Sequence, residues 1–319
     1  MPAEALALIA AGFFGASHVV SKRGLQTTSI TAGFMVVVAC ALVVVSIPVW
    51  VDPPAGVPAS TILLFMLSGL FAPATARAAA LAGVHTLGPS ITVPIQQGLR
   101  PLLILPAAAI LLGEGFGPLR VVGALAIVAG GWVLTREPGG GTSEVPVEPG
   151  LEDADGATQG SGASIGVRVR RRAAGLSSGF RPGVIYPVIA AFAYSTADLI
   201  VKSGLDSISQ PAFGATLAIG SGLAAWTMAH AVPAVRRRFR LGRDAWWMAL
   251  SGLLMGVAIL LLFNALDRGD VSLVAPIVTT QPLFVFLFST LILRHLERID
   301  RSTVLAGIIV VVGTILVSV

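Results

Sequence analysis

The chain has 319 residues, is 55% hydrophobic and only 12% charged, and has a mean hydropathy of +0.87. Soluble domains carry about 25% charged residues, so a water-soluble fold of this length is excluded and the expected solvent is lipid. The net charge of +5 does not point to nucleic acid, because the arginines cluster at the ends of apolar segments, as membrane topology signals do. The single cysteine, Cys40, excludes an intrachain disulfide and a multi-cysteine metal site.

A membrane-spanning helix needs about 20 mostly apolar residues. Ten stretches qualify, roughly 3–21, 30–51, 60–83, 89–112, 118–135, 183–204, 211–232, 245–266, 271–293 and 302–319. None alternates in hydrophobicity as a β-barrel strand does. The first, opening MPAEALALIAAGFFGASHVVSK, has no basic leader and reads as a retained helix rather than a cleaved signal. Between the fifth and sixth lies a polar stretch, 136–182, with GGG, GSGAS and the cluster Arg168, Arg170, Arg171 and Arg172. That composition cannot bury a core, so it is expected to be a disordered linker between residues 1–135 and 183–319.

The two flanking parts repeat each other. Phe14-Gly-Ala-Ser-His-Val-Val-Ser-Lys22-Arg-Gly24-Leu25 recurs 180 positions later as Tyr194-Ser-Thr-Ala-Asp-Leu-Ile-Val-Lys202-Ser-Gly204-Leu205. Segments three and eight share Ser68-Gly69 and Ser251-Gly252, and segments four and nine carry Pro101 and Pro282. Five helices per half is odd, so the second half enters the membrane from the opposite side. The expected fold is an all-α membrane protein of ten transmembrane helices in two inverted five-helix repeats, a layout that puts a transporter's binding site at the repeat interface.

Basic residues mark one side. Lys22 and Arg23 follow the first segment, Arg236 to Arg243 join the seventh to the eighth, and Arg294, Arg298 and Arg301 join the ninth to the tenth. The connection VDPPAGVPAS has no base. The positive-inside rule puts the basic connections in the cytoplasm and both termini outside.

These residues resemble the EamA-domain branch of the drug/metabolite transporter superfamily. The resemblance rests on the end of the first helix (Phe14-Gly15 to Lys22), Pro101 with Leu112-Gly113-Glu114 thirteen residues on, the glycine-rich helix after it, and Pro282 with Leu296-Glu297. In the second half the carboxylate is displaced and His295 holds the thirteen-residue position. The resemblance implies a ten-helix export or exchange carrier whose central cavity is built mainly from helices 1, 3, 4, 6, 8 and 9. It implies substrates among amino acids, sugars, nucleotide sugars and drugs. It also implies both termini inside, against the charge count.

Ionisable groups inside spans are costly and usually functional. Arg100, near the centre of its segment and just before Pro101, reads either as a fixed cation for an anionic ligand, with Gln96 one turn below and Gln97 beside it, or as a structural arginine. Arg77 either faces the cavity or snorkels to the headgroups. His18 is a candidate proton acceptor, with a hydrogen-bonded structural role as the alternative. Asp198 holds the repeat position of His18; with Lys202 at i+4 it either makes a simple helix pair or acts in an outer gate opposite His18, with Asn264 beside it. Thr279, Thr280 and Gln281 precede Pro282 as Gln96, Gln97 and Arg100 precede Pro101. Tyr194 opens the second copy of the motif and joins the candidate substrate-binding set; Lys22 and Lys202 join the candidate coupling or gating set. Gly252 and Gly256 read as a packing pair, and Trp246 and Trp247 as an interfacial anchor.

The leading expectation is a secondary-active carrier in the plasma membrane for a small polar or anionic metabolite. The alternative within the superfamily is an exporter of multiple drugs or cations. A membrane-embedded enzyme is disfavoured because no span carries HExxH, GxSxG or DxxxD, and an ATP-driven pump because the sequence has no P-loop. No cofactor, metal or nucleic acid is expected. Expected partners are the lipid bilayer, a small-molecule substrate and protons as coupling ion, in a monomer or weak homodimer.

Overall fold

A computed structural model describes residues 1–54, 56–112, 122–123, 125–126, 129–130, 182–231, 239–269, 274, 277–293 and 301–318. The described residues form helices and their connections, with no strand. The helices are α1 (Ala3–Gly24), α2 (Ile30–Val51), α3 (Ala59–Leu87), α4 (Pro89–Leu112), α5 (Ile185–Ser207), α6 (Pro211–Ala229), α7 (Ala245–Arg268), α8 (Gln281–Ile292) and α9 (Arg301–Ser318). Six of these, α1, α2, α3, α5, α6 and α7, are long and apolar enough to cross a membrane. Of the expected fifth segment six residues are described, and all are helical. Most of the linker expected at 136–182 lies outside the described residues, as do Gly113, Glu114, His295 and Glu297.

Side chains divide by neighbour. Phe34, Val37, Val38 and Ala41 of α2 are buried in one cluster with Met248, Met255 and Ile259 of α7. Trp50, Leu63, Phe192 and Leu287 are exposed, as lipid-facing residues are when the solvent is hydrocarbon.

Helix contacts close where glycine removes the side chain. A methyl group at Gly204 of α5 would lie 2.7 Å from the ring of Phe65, and one at Gly24 of α1 would lie 2.7 Å from Cγ of Met248. Phe65 and Met248 each stand three residues before the duplicated Ser-Gly pair, so both halves bury the same contact. The second glycine of that pair does likewise. A methyl at Gly69 would meet the carbonyl carbon of Ala218 at 2.9 Å, and one at Gly252 would meet Cα of Val37 at 3.0 Å. The Gly252/Gly256 face of α7 packs on α2 in this way.

Two elements depart from plain α-helix. Within α3, residues Leu70–Arg77 are π-helical around Pro73. Proline has no N–H to give and clashes with the preceding turn, and a widened turn relieves both. The ladder there is supported from α6, where Trp226 Nε1 donates to Ala74 O at 2.6 Å and Ser221 Oγ donates to Met66 O at 2.9 Å. The second departure corrects the expected unbroken helix over 271–293. The chain turns at Thr279 and Thr280, and α8 starts at Gln281. Pro282 therefore lies in the first turn of a helix, where its missing N–H costs nothing, whereas Pro101 lies inside the continuous α4.

The connections after α1 and before α7 are stitched together. Ser29 N donates to Arg240 O at 3.0 Å, Arg240 N donates to Ser29 Oγ at 3.0 Å, and Thr27 Oγ1 donates to Asp244 Oδ2 at 3.0 Å. Both basic connections thus occupy one face of the bundle. On the opposite face Arg268 Nη1 reaches Met1 O at 3.5 Å, and Ser209 Oγ donates to Asp267 Oδ1 at 2.6 Å.

Candidate functional site

A cavity lies among α1, α3, α4, α5, α6, α7 and the start of α8. The cavity volume is about 70 Å3, several times the roughly 10–15 Å3 that one water needs. His18, Gln96, Arg100, Tyr194, Asp198 and Gln281 supply its polar wall. Phe14, Met255, Ile259 and Phe263 are part of the larger apolar wall, and Pro73 of the π-helical turn also faces it. The lining runs from His18 towards Val201 and Leu266, near the ends of α5 and α7.

A chain of side chains crosses the cavity wall. Arg100 Nη2 forms an ion pair with Asp198 Oδ2, and Arg100 Nη1 donates to Gln97 Oε1 at 3.0 Å. Gln97 Nε2 donates to Gln281 Oε1 at 2.6 Å. Tyr194 presents its ring 5.4 Å from the Arg100 guanidinium, within cation–π reach. Helix α4 is thereby joined to α5 and α8 through four polar residues.

A second polar knot lies outside the cavity. Arg77 is 1% exposed. Its Nη2 donates to Oγ of Ser17 at 3.0 Å, of Ser21 at 3.1 Å and of Ser251 at 3.1 Å. The hydroxyls also bond one another, Ser17 to Ser251 at 2.9 Å and Ser21 to Ser251 at 2.6 Å. Among the described residues no carboxylate pairs with Arg77. Arg77 thereby ties α3 to α1 and α7. Nearby, Lys22 Nζ donates to His85 O at 2.8 Å.

A model of the EamA-like transporter family matches residues 1–136 and 181–319. The chain belongs to that family. It is accordingly a multi-pass membrane transporter of the drug/metabolite superfamily type, in a family of transporters rather than enzymes. A protein known from a crystal structure is similar over 98% of this chain and 95% of its own, with a TM-score of 0.61 and 16% identity, which establishes a shared fold. No curated protein matches the sequence.

In this EamA-like transporter the candidate residues fall into three groups. Gln96, Arg100, Tyr194, Gln281, His18 and Asp198 line one cavity, and Gln97 bonds into their network. Arg77 and Lys22 lie outside it, in buried contacts on the side of the basic connections. Thr279, Thr280, Asn264 and Lys202 are not in the cavity wall. Thr280 Oγ1 donates to Ile277 O at 2.6 Å, and Asn264 Nδ2 to Leu260 O at 2.8 Å, so each satisfies its own turn.

Two expectations are corrected. Asp198 pairs with Arg100, and Lys202 pairs instead with Asp206 at 2.9 Å, because the cavity offers Asp198 a partner on α4. Asn264 is not its neighbour in the hydrogen-bond network. Gln96 lines the cavity with Arg100, and the residue that Arg100 bonds is Gln97 at i−3. His18 and Asp198 both line that cavity. Ser17, Ser21 and Ser251 were not among the expected residues; their only signal is the i, i+4 spacing of two serines facing a third in an apolar segment. Pro73 gave a clearer one, a proline in mid-span.

Proposed function

We propose that this EamA-like transporter is a secondary-active carrier of a small polar or anionic metabolite. It works by alternating access as an exporter or exchanger in the plasma membrane. The carrying observation is the Asp198–Arg100–Gln97–Gln281 chain, which ties helices from before and after the linker together beside a cavity. A site at that seam changes shape when one half rocks against the other. The matched glycine contacts at Phe65 and Met248 support ten helices in two inverted five-helix repeats, 1–135 and 183–319. The Arg77–serine knot, the Lys22–His85 contact and the stitched basic connections support a conformation closed on the basic side. By the positive-inside rule that side is cytoplasmic and both termini are outside. His18 is the proposed group for proton coupling, and the carrier is a monomer or weak homodimer.

The test is two-sided labelling. In a Cys40→Ala background, Met255→Cys places a thiol on the cavity wall. Right-side-out and inverted vesicles are treated with an impermeant thiol reagent. Alternating access exposes the same cysteine from both faces, and labelling in only one of the two preparations would refute it. An exporter of organic cations is the second reading, favoured by the Asp198 carboxylate facing apolar walls at Phe14 and Met255.

A further inference from the structure

Among the described residues the cavity wall holds one cation and one anion, and each already holds the other. Arg100 spends its guanidinium in two directions, on Asp198 and on Gln97. Asp198 has no second ion-pair partner among the described residues, since Lys202 is engaged by Asp206. Arg77, behind the wall and committed to serine hydroxyls, supplies no free cation.

A singly charged ligand therefore meets an obstacle. An anion that takes Arg100 Nη2 displaces Asp198 and strands a carboxylate among apolar side chains. A cation that takes Asp198 strands Arg100 in the same way. Removing one partner of a largely buried pair is strongly unfavourable, whereas exchanging both partners keeps every charge matched. The two side chains are 12% and 25% exposed, so a ligand can reach each. Two further polar atoms await a partner. His18 Nδ1 and Gln96 Oε1 are buried, belong to cavity-lining residues and have no hydrogen-bond partner among the described residues. An amide oxygen can only accept, so Gln96 suits an N–H donor. The rest of the wall, including Phe14, Ile259 and Phe263, suits hydrocarbon.

We propose that the substrate is a small zwitterion bearing an apolar group, bound by ion-pair exchange: its carboxylate replaces Asp198 on Arg100 while its ammonium replaces Arg100 on Asp198. This rests on the cavity being the substrate site. No bond is made or broken.

The test uses one hydrocarbon body in four charge states. Leucine is the zwitterion, its methyl ester the cation, N-acetylleucine the anion and N-acetylleucine amide the neutral control. Binding to the purified full-length chain is read from the ligand-dependent rise in unfolding temperature. The zwitterion is expected to bind roughly ten- to a hundredfold tighter than either singly charged probe, the range for losing one hydrogen bond to a charged group. D198N frees Arg100 and moves the preference to the anion; R100Q moves it to the cation. Should a single variant fail to fold, R100Q/D198N, uncharged and of similar shape, is expected to abolish the preference for the zwitterion. The proposal is overturned if wild type prefers a singly charged probe, if no probe binds, or if the double variant still prefers the zwitterion. The carrier reading is decided separately, by the two-sided labelling of Met255→Cys.

Discussion

Removing the three serines that hold Arg77 leaves a buried cation with little to solvate it. Ser17, Ser21 and Ser251 are fully buried, and Arg77 is 1% exposed. Their contacts at 3.0, 3.1 and 3.1 Å converge on one nitrogen, Nη2. That nitrogen carries two hydrogens, so two strong bonds form at a time. At about 1.5 kcal/mol for each hydrogen bond to a charged group, S17A/S21A/S251A costs about 3 kcal/mol. An unpaired buried charge sets an upper bound of about 5 kcal/mol. Arg77→Met alone behaves differently. It removes the charge, and the hydroxyls keep one another at 2.6 and 2.9 Å. Its cost is expected below about 1.5 kcal/mol, because replacing a buried charge by a hydrophobe of similar volume is often close to neutral. Adding Arg77→Met to the triple variant then restores most of the lost stability. The assay is denaturant unfolding of all four proteins in detergent micelles, analysed as a mutant cycle. Simple additivity, with Arg77→Met costing as much alone as in the triple background, refutes the reasoning.

Three further outcomes are expected. Gly252→Ala should destabilise by about 1–3 kcal/mol through overpacking, since its methyl meets Cys40 Cβ at 2.7 Å and Val37 Cα at 3.0 Å. Gly220→Ala, whose nearest neighbour is Leu42 Cδ1 at 3.8 Å, should stabilise by about 0.5–1 kcal/mol; unfolding midpoints in the reverse order contradict both. Trp226→Phe should cost about 1 kcal/mol, for it loses the 2.6 Å bond to Ala74 O and keeps the ring beside Phe34; an unchanged midpoint shows that the bond contributes nothing. Finally, Asp52→Cys and Arg240→Cys, each in a Cys40→Ala background, report orientation through an impermeant thiol reagent on intact cells. Labelling at 52 with protection at 240 is expected, and the opposite pattern places the termini in the cytoplasm.

The helices were largely legible because hydropathy and length are properties of single segments. The stretch 30–51 coincides with Ile30–Val51, and 245–266 falls within Ala245–Arg268. The start of α8 was not, because a proline has two consistent placements, inside a helix or in its first turn. Only the turn at Thr279 and Thr280 decides between them. For the site, a rule about charges inside membranes was enough to single out Arg100, Asp198 and Arg77 as unusual. Their pairing was out of reach. Asp198 has Lys202 nearby in sequence and Arg100 98 positions away, and the distant partner is the one the cavity brings close. Serines carry even less signal. Ser17 and Ser251 are 234 positions apart, and nothing in either neighbourhood announces the other.

The knot around Arg77 also constrains how the protein is made. An arginine inside a span is an unfavourable passenger when its helix enters the bilayer alone. Two of its three hydroxyl partners, Ser17 and Ser21, belong to α1 and emerge from the ribosome before it. Ser251 emerges more than 170 residues after it. Ser17 and Ser21 can take both hydrogens of Nη2 before α7 exists, and Ser251, which bonds both of those hydroxyls, closes the knot on arrival. The cation is thus held first by the helix made before its own, and α7 docks onto a pair already formed.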